Sequence, residues 1–298
     1  MPIERMHADE LMIDETLAQR LIASQFPQWS GLEIRRVAST GTDNAMFRLG
    51  DNMVVRMPRI HWAVDGIANE QAWLPHFAGR LSVPIPALLG KGVPGEGYPW
   101  HWSVMNWLDG HNPVVGAIAD PAGLVQSLAD FILSLRRMPP AEGASMRRQL
   151  PAFDEQVRRD IKALEGEIDT AAVTSIWEAA LKVPYWTEPS VWLHGDLASG
   201  NLLLVDNRLA AVIDFSGIGI GDSCDDLQMA WNLLQADMRP VLRDAVGADE
   251  ATWIRARARS LAQALVQLPY YRDTNPSLAE SARHVIGEIL AEHAAGLC

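Results

Sequence analysis

"VWLHGDLASGNLLLVDNRLAAVIDF", residues 191–215, is the stretch whose reading decides how this chain folds. The apolar run Val191-Trp192-Leu193 ends in His194, with Asp196 two residues later and Asn201 five residues after that. A second apolar run, Ala211-Val212-Ile213, ends in Asp214. Apolar runs lead into a core, where polar side chains are costly unless they bond or do chemistry. "NLLLVDNRLAAVID" between them reads as a β-hairpin turning at Asp206-Asn207. Asp196, Asn201 and Asp214 could be three hydrogen-bonded turn residues. Their ordered placement at the ends of apolar segments points instead to one site.

The flanking chain shows two characters. Residues 14–26, "DETLAQRLIASQF", read as a helix with Leu17, Leu21 and Ile22 on one face, stopped by Pro27. Extended runs follow at 32–39, 45–49 and 53–57, the last two joined by a turn at "GDN", 50–52. Residues 68–81 are expected to be helical in part, disturbed by Pro75, and 83–99 to be extended and rich in turns. "WHWSVMNWL", 100–108, is strongly β-prone. From about residue 121 helical periodicity dominates, near 121–138, 153–168, 171–182, 225–239, 250–268 and 277–294. The hairpin at 201–214 is the one β-like interruption expected there. A β-rich part, 1–108, thus precedes a mainly helical part, 109–298, with the join at about 105–110.

Composition narrows the function classes. The chain has 298 residues, 48% of them hydrophobic, enough for one large domain or two lobes. Twenty-five basic and 37 acidic residues give a net charge of −12, which argues against nucleic-acid binding. Such a balance is compatible with a cationic ligand and equally with plain solubility. No uninterrupted apolar stretch is long enough to span a membrane. The first fifteen residues are charged and lack the apolar core of a signal peptide. Two cysteines, Cys224 and Cys298, cannot build a disulfide framework. A cytoplasmic monomer is the expectation.

The order of chemistry-bearing residues suggests phosphoryl transfer from a nucleoside triphosphate. A turn holding Ser39, Thr40 and Gly41 would let backbone N–H groups approach phosphates. Arg56 on a strand would neutralise their charge, and Glu70 on a helix would orient that cation. Two oxygen-bearing side chains suit Mg²⁺, and one carboxylate would accept or orient a hydroxyl proton.

Together, "HGDLASGN", "VIDF" and "GDSCDDLQMAW" resemble the aminoglycoside phosphotransferase family, a branch of the protein-kinase-like fold. The family pattern runs H-G-D-x-x-x-x-N, I-D-F/W, then G-D-P-x-x-D-L. "STGTDNAMFRLGDNMVVRMPR" is similar to the front lobe of its macrolide and aminoglycoside kinases, so the resemblance covers roughly residues 35–235. It implies an α+β, protein-kinase-like, two-lobed fold, with a small β-rich N-terminal lobe and a larger, mainly helical C-terminal lobe. It implies Asp196 as the catalytic carboxylate, Asn201 and Asp214 as Mg²⁺ ligands, and Arg56 facing the triphosphate with Glu70 paired to it. Backbone around Met105, Asn106, Trp107 and Leu108 would hold the purine edge. The chain departs from the pattern at Arg56, where the wider family usually has Lys though some macrolide kinases share the Arg. It also departs at Ala198 and Ser199, where many members have His and Pro, at Ser216, where Gly is common, and at Gly195, where protein kinases have Arg.

Bland readings stand beside these. His194 is expected to be structural. Asp222 and Asp226 read as caps of the following helix, with support of the catalytic loop by Asp222 as the alternative. Glu70 could be a solvated helix residue and Arg56 an exposed strand residue. Cys224 reads as a small buried hydrophobe, and most tryptophans as core. The acidic residues between 154 and 169 could line a cationic substrate site or form a solvated face with Arg158, Arg159 and Lys162.

The implied activity is transfer of the γ-phosphate of ATP or GTP, with Mg²⁺, to a hydroxyl of an aminoglycoside-like antibiotic, hence antibiotic resistance. A macrolide kinase, a metabolite kinase of the choline, homoserine or sugar type, and a nucleotide-binding pseudokinase are the alternatives.

Overall fold

A computed structural model describes residues 9–37 and 41–296. The chain divides into two compact units. One holds the described residues through His111 together with Gly200–Val205 and Ala210–Ile218. The other holds Asn112–Ser199, Asp206–Leu209 and the described residues from Gly219 onward.

The first unit is built on a five-stranded antiparallel sheet of β1 (Ile34–Arg36), β2 (Asn44–Leu49), β3 (Met53–Pro58), β4 (Leu88–Gly92) and β5 (Trp102–Asn106), in the order β1-β2-β3-β5-β4. β2 and β3 pair from Asn44↔Pro58 to Leu49↔Met53, and Gly50, at φ 55°, makes the turn between them. Helix α1 (Glu15–Gln25) is capped by Asp14, whose Oδ1 accepts the Leu17 N–H at 2.8 Å. It buries Ala18, Leu21 and Ile22 in a cluster with Phe47, Val55, Trp102 and Val104 of the sheet. Helix α2 (Val64–Phe77) starts and ends four residues earlier than the periodicity suggests, with Pro75 in its last turn. The hairpin of β7 (Leu202–Val205) and β8 (Arg208–Val212) turns at Asp206 and Asn207, both left-handed at φ 50° and 61°. The Val212 N–H donates to the Pro84 carbonyl at 3.1 Å, and Leu204 exchanges two backbone bonds with His111.

The second unit is helical: α3 (Pro121–Arg136), α4 (Asp154–Ala163), α5 (Thr170–Ala180), α6 (Met229–Asn232), α7 (Arg239–Ala245), α8 (Glu250–Tyr271) and α9 (Pro276–Ala294). α8 is its spine and packs against α4, α5, α6 and α9. Among the described residues no helix is long and apolar enough to cross a membrane.

Two expectations are corrected here. The hairpin is not the one β-like interruption: β6 (Val191–Leu193) pairs antiparallel with β9 (Gly219–Gly221). β9 reads as "GIG" because its neighbours leave no room. A Cβ at Gly219 would lie 2.6 Å from the Ser145 carbonyl oxygen, and one at Gly221 would lie 3.0 Å from the Arg147 Cβ. Residues 225–239 are not one helix but a 3₁₀ turn over Ser223–Leu227, the four-residue α6, a second 3₁₀ turn and the start of α7. Pro240 in the first turn of α7 cannot continue a preceding helix. The guanidinium of Arg239 also takes the Ala230 and Leu234 carbonyls.

Arg239 is 2% exposed and also bonds Glu292, at 2.5 Å, and Glu288, tying α7 to α9. Arg239→Ala leaves both carboxylates and both carbonyls without this donor. Calorimetry should show a loss of about 3 kcal/mol, a fall in thermal midpoint of roughly 5–10 °C. An unchanged midpoint would show that the network contributes nothing.

Candidate active site

In the first unit three charged side chains from three elements meet. Arg56 lies in the middle of β3, paired to Met46 on one side and Ser103 on the other, and is therefore buried. α2 brings Glu70, which is fully buried. Arg56 Nη1 donates to Glu70 Oε1 at 3.1 Å, and Nη2 donates to Asp214 Oδ1 at 2.5 Å. The planar fork reaches two carboxylates at once, which an ammonium point charge does less well. Burial opposes the charge on Arg56, but Asp214 and Glu70 outweigh it and hold its pKa above the ordinary value. Burial pushes the Glu70 carboxyl up to about 7, against the pull of Arg56.

Asp214 sits at φ 63° and caps the turn Phe215–Gly217. Its Oδ1 also accepts the Ser216 N–H at 3.3 Å and the Ser216 hydroxyl at 2.7 Å. A non-glycine residue in this backbone region is uncommon and marks a position held by its surroundings. The Ile213 N–H donates to the Asn201 carbonyl at 2.9 Å, which sets Asn201 alongside the residue before Asp214.

Asn201 and Asp214 offer oxygen donors only. Among the described residues no three His, Cys, Asp or Glu side chains are grouped to hold a metal. The side-chain oxygens of Asn201 and Asp214 fit Mg²⁺, which takes one or two protein oxygens and completes its shell with water and phosphates.

The other nucleotide-site candidates are placed as follows. Ser39 and Thr40 lie outside the described residues, and Gly41 is exposed just before β2. Met105 and Asn106 end β5. The Asn106 side-chain oxygen accepts the Ala87 N–H at 2.5 Å, the Asn106 backbone N–H donates to the Ala87 carbonyl, and the Trp107 backbone N–H donates to the Asn52 carbonyl. Leu108 follows, half-buried.

The second unit carries the loop after β6. His194 is fully buried, and its Nδ1 accepts the Asp196 N–H at 3.3 Å, a structural role. Gly195 is at φ 81°, where a side chain would be strained. Asp226 corrects the capping expectation. Its Oδ2 accepts the His194 N–H at 2.9 Å and its Oδ1 the Gly195 N–H at 2.7 Å. Burial pushes its carboxyl above the usual range, with His194 and these two amides pulling back. Asp226, rather than Asp222, supports the loop. Asp222 caps its turn through the Cys224 N–H at 3.0 Å and pairs with Arg255 at 2.6 Å.

Sequence reasoning missed three other supports. Arg147 donates Nη2 to the Gly195 carbonyl at 3.0 Å and Nε to Asp225 at 3.0 Å. Gln263 on α8 donates to Asp196 Oδ1 at 3.3 Å. Asn232 donates to the Leu197 carbonyl at 3.2 Å. Only the "GDSCDDL" motif carried a signal, and only for the neighbourhood of Asp226. The acidic stretch on α4 is largely ion-paired: Asp154 with Arg158 at 2.9 Å, Glu155 with Arg159 at 3.6 Å. Cys224 is buried.

The family model described as "Phosphotransferase enzyme family" matches residues 33–262. Aminoglycoside 3'-phosphotransferase of Escherichia coli is 25% identical over 194 residues, which cover 62% of this chain and 69% of that protein. Among solved structures, the GDP and kanamycin complex of APH(2")-IIia aligns with TM-score 0.73 at 18% identity, covering 92% of this chain and 98% of that one. Macrolide 2'-phosphotransferase type I aligns with TM-score 0.64 at 18% identity, covering 92% and 97%.

Proposed function

This chain belongs to the phosphotransferase enzyme family, and from that membership we propose that it transfers the γ-phosphoryl group of ATP or GTP to a hydroxyl of an aminoglycoside-like antibiotic. The observation that carries the reading is the cluster of Arg56, Glu70 and Asp214 with Asn201 alongside. A buried cation clamped between two carboxylates is pre-set to meet phosphate oxygens without reorganising. Asn201 and Asp214 would hold Mg²⁺, which when bound neutralises charge on the phosphate oxygens. Asp196 would orient the acceptor hydroxyl and receive its proton, held in place by Gln263, Asp226 and Arg147. The Asn106 and Trp107 N–H groups already bond Ala87 and Asn52, so the purine edge would be read by Leu108 and neighbouring carbonyls. A macrolide acceptor is the second reading, favoured by the likeness to macrolide 2'-phosphotransferase type I.

Nucleoside diphosphate release with Mg²⁺ and ATP or GTP, over aminoglycosides, macrolides and small metabolite alcohols, tests the reading. Release stimulated by one class names the acceptor. Tight nucleotide binding with no stimulation across all three would overturn the antibiotic-acceptor reading and leave two, an acceptor outside these classes or a nucleotide-binding pseudokinase. Asp214→Ala should weaken Mg²⁺-dependent nucleotide binding by roughly 10–100-fold, read by calorimetric titration at several Mg²⁺ concentrations. An unchanged metal dependence would remove Asp214 from the metal site.

A further inference from the structure

The Ser216 side chain is engaged at the Asp214 carboxylate. The hydroxyl donates to Asp214 Oδ1 at 2.7 Å, the same oxygen that takes Arg56 Nη2. Its carbonyl accepts the Asn69 side-chain amide at 3.4 Å. On α2, one turn before Glu70, lies Gly66. A Cβ built there would lie 2.7 Å from the Ser216 Cβ, closer than two unbonded carbon atoms approach, with the Ser216 Cα at an ordinary contact of 3.5 Å. A glycine within a helix is otherwise a cost that alanine would remove. One helix thus meets the Asp214–Ser216 turn at three positions within about one turn: Gly66 by steric fit, Asn69 by a hydrogen bond and Glu70 through Arg56.

We infer that Ser216 is a positioning residue for the Asp214 carboxylate and that Gly66 is the notch in α2 that admits it, so that helix and carboxylate are locked in one register. The hydroxyl and Arg56 draw Oδ1 to a fixed place, which orients the whole carboxylate at its unusual φ. The notch lets α2 approach closely enough for Glu70 to hold Arg56. This rests on the reading of Asp214 as a metal ligand. The steric half does not.

The test uses the full chain in two readouts: Mn²⁺ affinity by EPR titration with ADP and then GDP, and thermal unfolding without ligand. Ser216→Ala should weaken Mn²⁺ binding about tenfold with the thermal midpoint unchanged, a result that a merely structural role would not produce. Gly66→Ala, a change that should stabilise an unencumbered helix, should instead lower the midpoint and weaken Mn²⁺ binding. In the Ser216→Gly background the same change should leave the midpoint level or raise it. Wild-type Mn²⁺ affinity in Ser216→Ala would overturn the positioning role. An equal shift from Gly66→Ala in both backgrounds would overturn the notch. Wild-type protein that binds no Mn²⁺ with either nucleotide would overturn the functional reading and the positioning role together. The ligand-free unfolding cycle would still decide the notch on its own.

Discussion

Asp196→Ala is expected to lower turnover by about 10²–10⁴-fold while nucleotide affinity stays at the wild-type level. The split follows from where the groups are carried. The cation and the metal-ligand candidates Arg56, Asn201 and Asp214 belong to one compact unit, and Asp196 to the other. Removing Asp196 leaves those side chains and their bonds untouched. Asp196→Asn refines the result, because it keeps the size of the side chain and its contact with Gln263 but loses the charge. If both variants fall together, proton acceptance or charge is what Asp196 supplies. If Asn retains most of the rate, orientation of the hydroxyl is the larger part. Calorimetric nucleotide titration beside steady-state diphosphate release makes the comparison. Normal turnover by Asp196→Ala would end the assignment of this residue.

Asp226→Asn should be the most damaging nearly isosteric change in the second unit. Two backbone N–H groups, from His194 and Gly195, converge on its two oxygens at 2.9 and 2.7 Å. A carboxylate accepts both. An amide offers one oxygen and one NH₂, so one backbone donor would face another donor. Hydrogen bonds to charged groups are worth about 1.5–3 kcal/mol, and a buried donor left unsatisfied costs about as much again as an ordinary bond. The expected loss is about 2–3 kcal/mol of stability, a fall in thermal midpoint of roughly 4–10 °C. Turnover should fall at least about tenfold even well below the new midpoint, because a loop displaced by a fraction of an ångström misplaces Asp196. Nucleotide affinity should not change. A variant as stable and as active as wild type would show that the loop is held by Arg147, Asn232 and Gln263 alone.

What could be read without coordinates depended on the range of the forces involved. The hairpin after Asn201 was legible because period-two apolar runs and a left-handed Asp-Asn turn are local features. So was α1, with Leu17, Leu21 and Ile22 at helical spacing and a proline after it. The motif order located Arg56 and Glu70 on separate elements, and their pairing needed only that a strand and the following helix meet. β9 was not legible, because two of its three residues are glycines. Its strand character comes from Val191–Leu193 and from the segment at 145–147 pressed against it. Residues 225–239 show true helical spacing of Leu227, Trp231 and Leu234. That spacing records which residues are buried, not whether the backbone is continuous. Asp226 looked like a cap because local rules find local acceptors. Its partners are 31 and 32 residues upstream. Arg147 carried no signal at all: nothing in "ASMRRQL" says that a guanidinium will reach the Gly195 carbonyl.

The close approach of Gly66 to Ser216 also constrains the order in which the two positions can be exchanged. A chain with alanine at 66 and glycine at 216 can reach the present pair by two routes. One introduces the serine first and drives two β-carbons to 2.7 Å. The other opens position 66 first and passes through a chain with glycine at both sites, loosened but free of collision. Only the second route avoids that collision, so from such a starting chain serine at 216 would depend on position 66 being opened first. The reverse order is gated in the same way: while serine stands at 216, a larger residue at 66 meets its β-carbon, and glycine at 216 would remove the block.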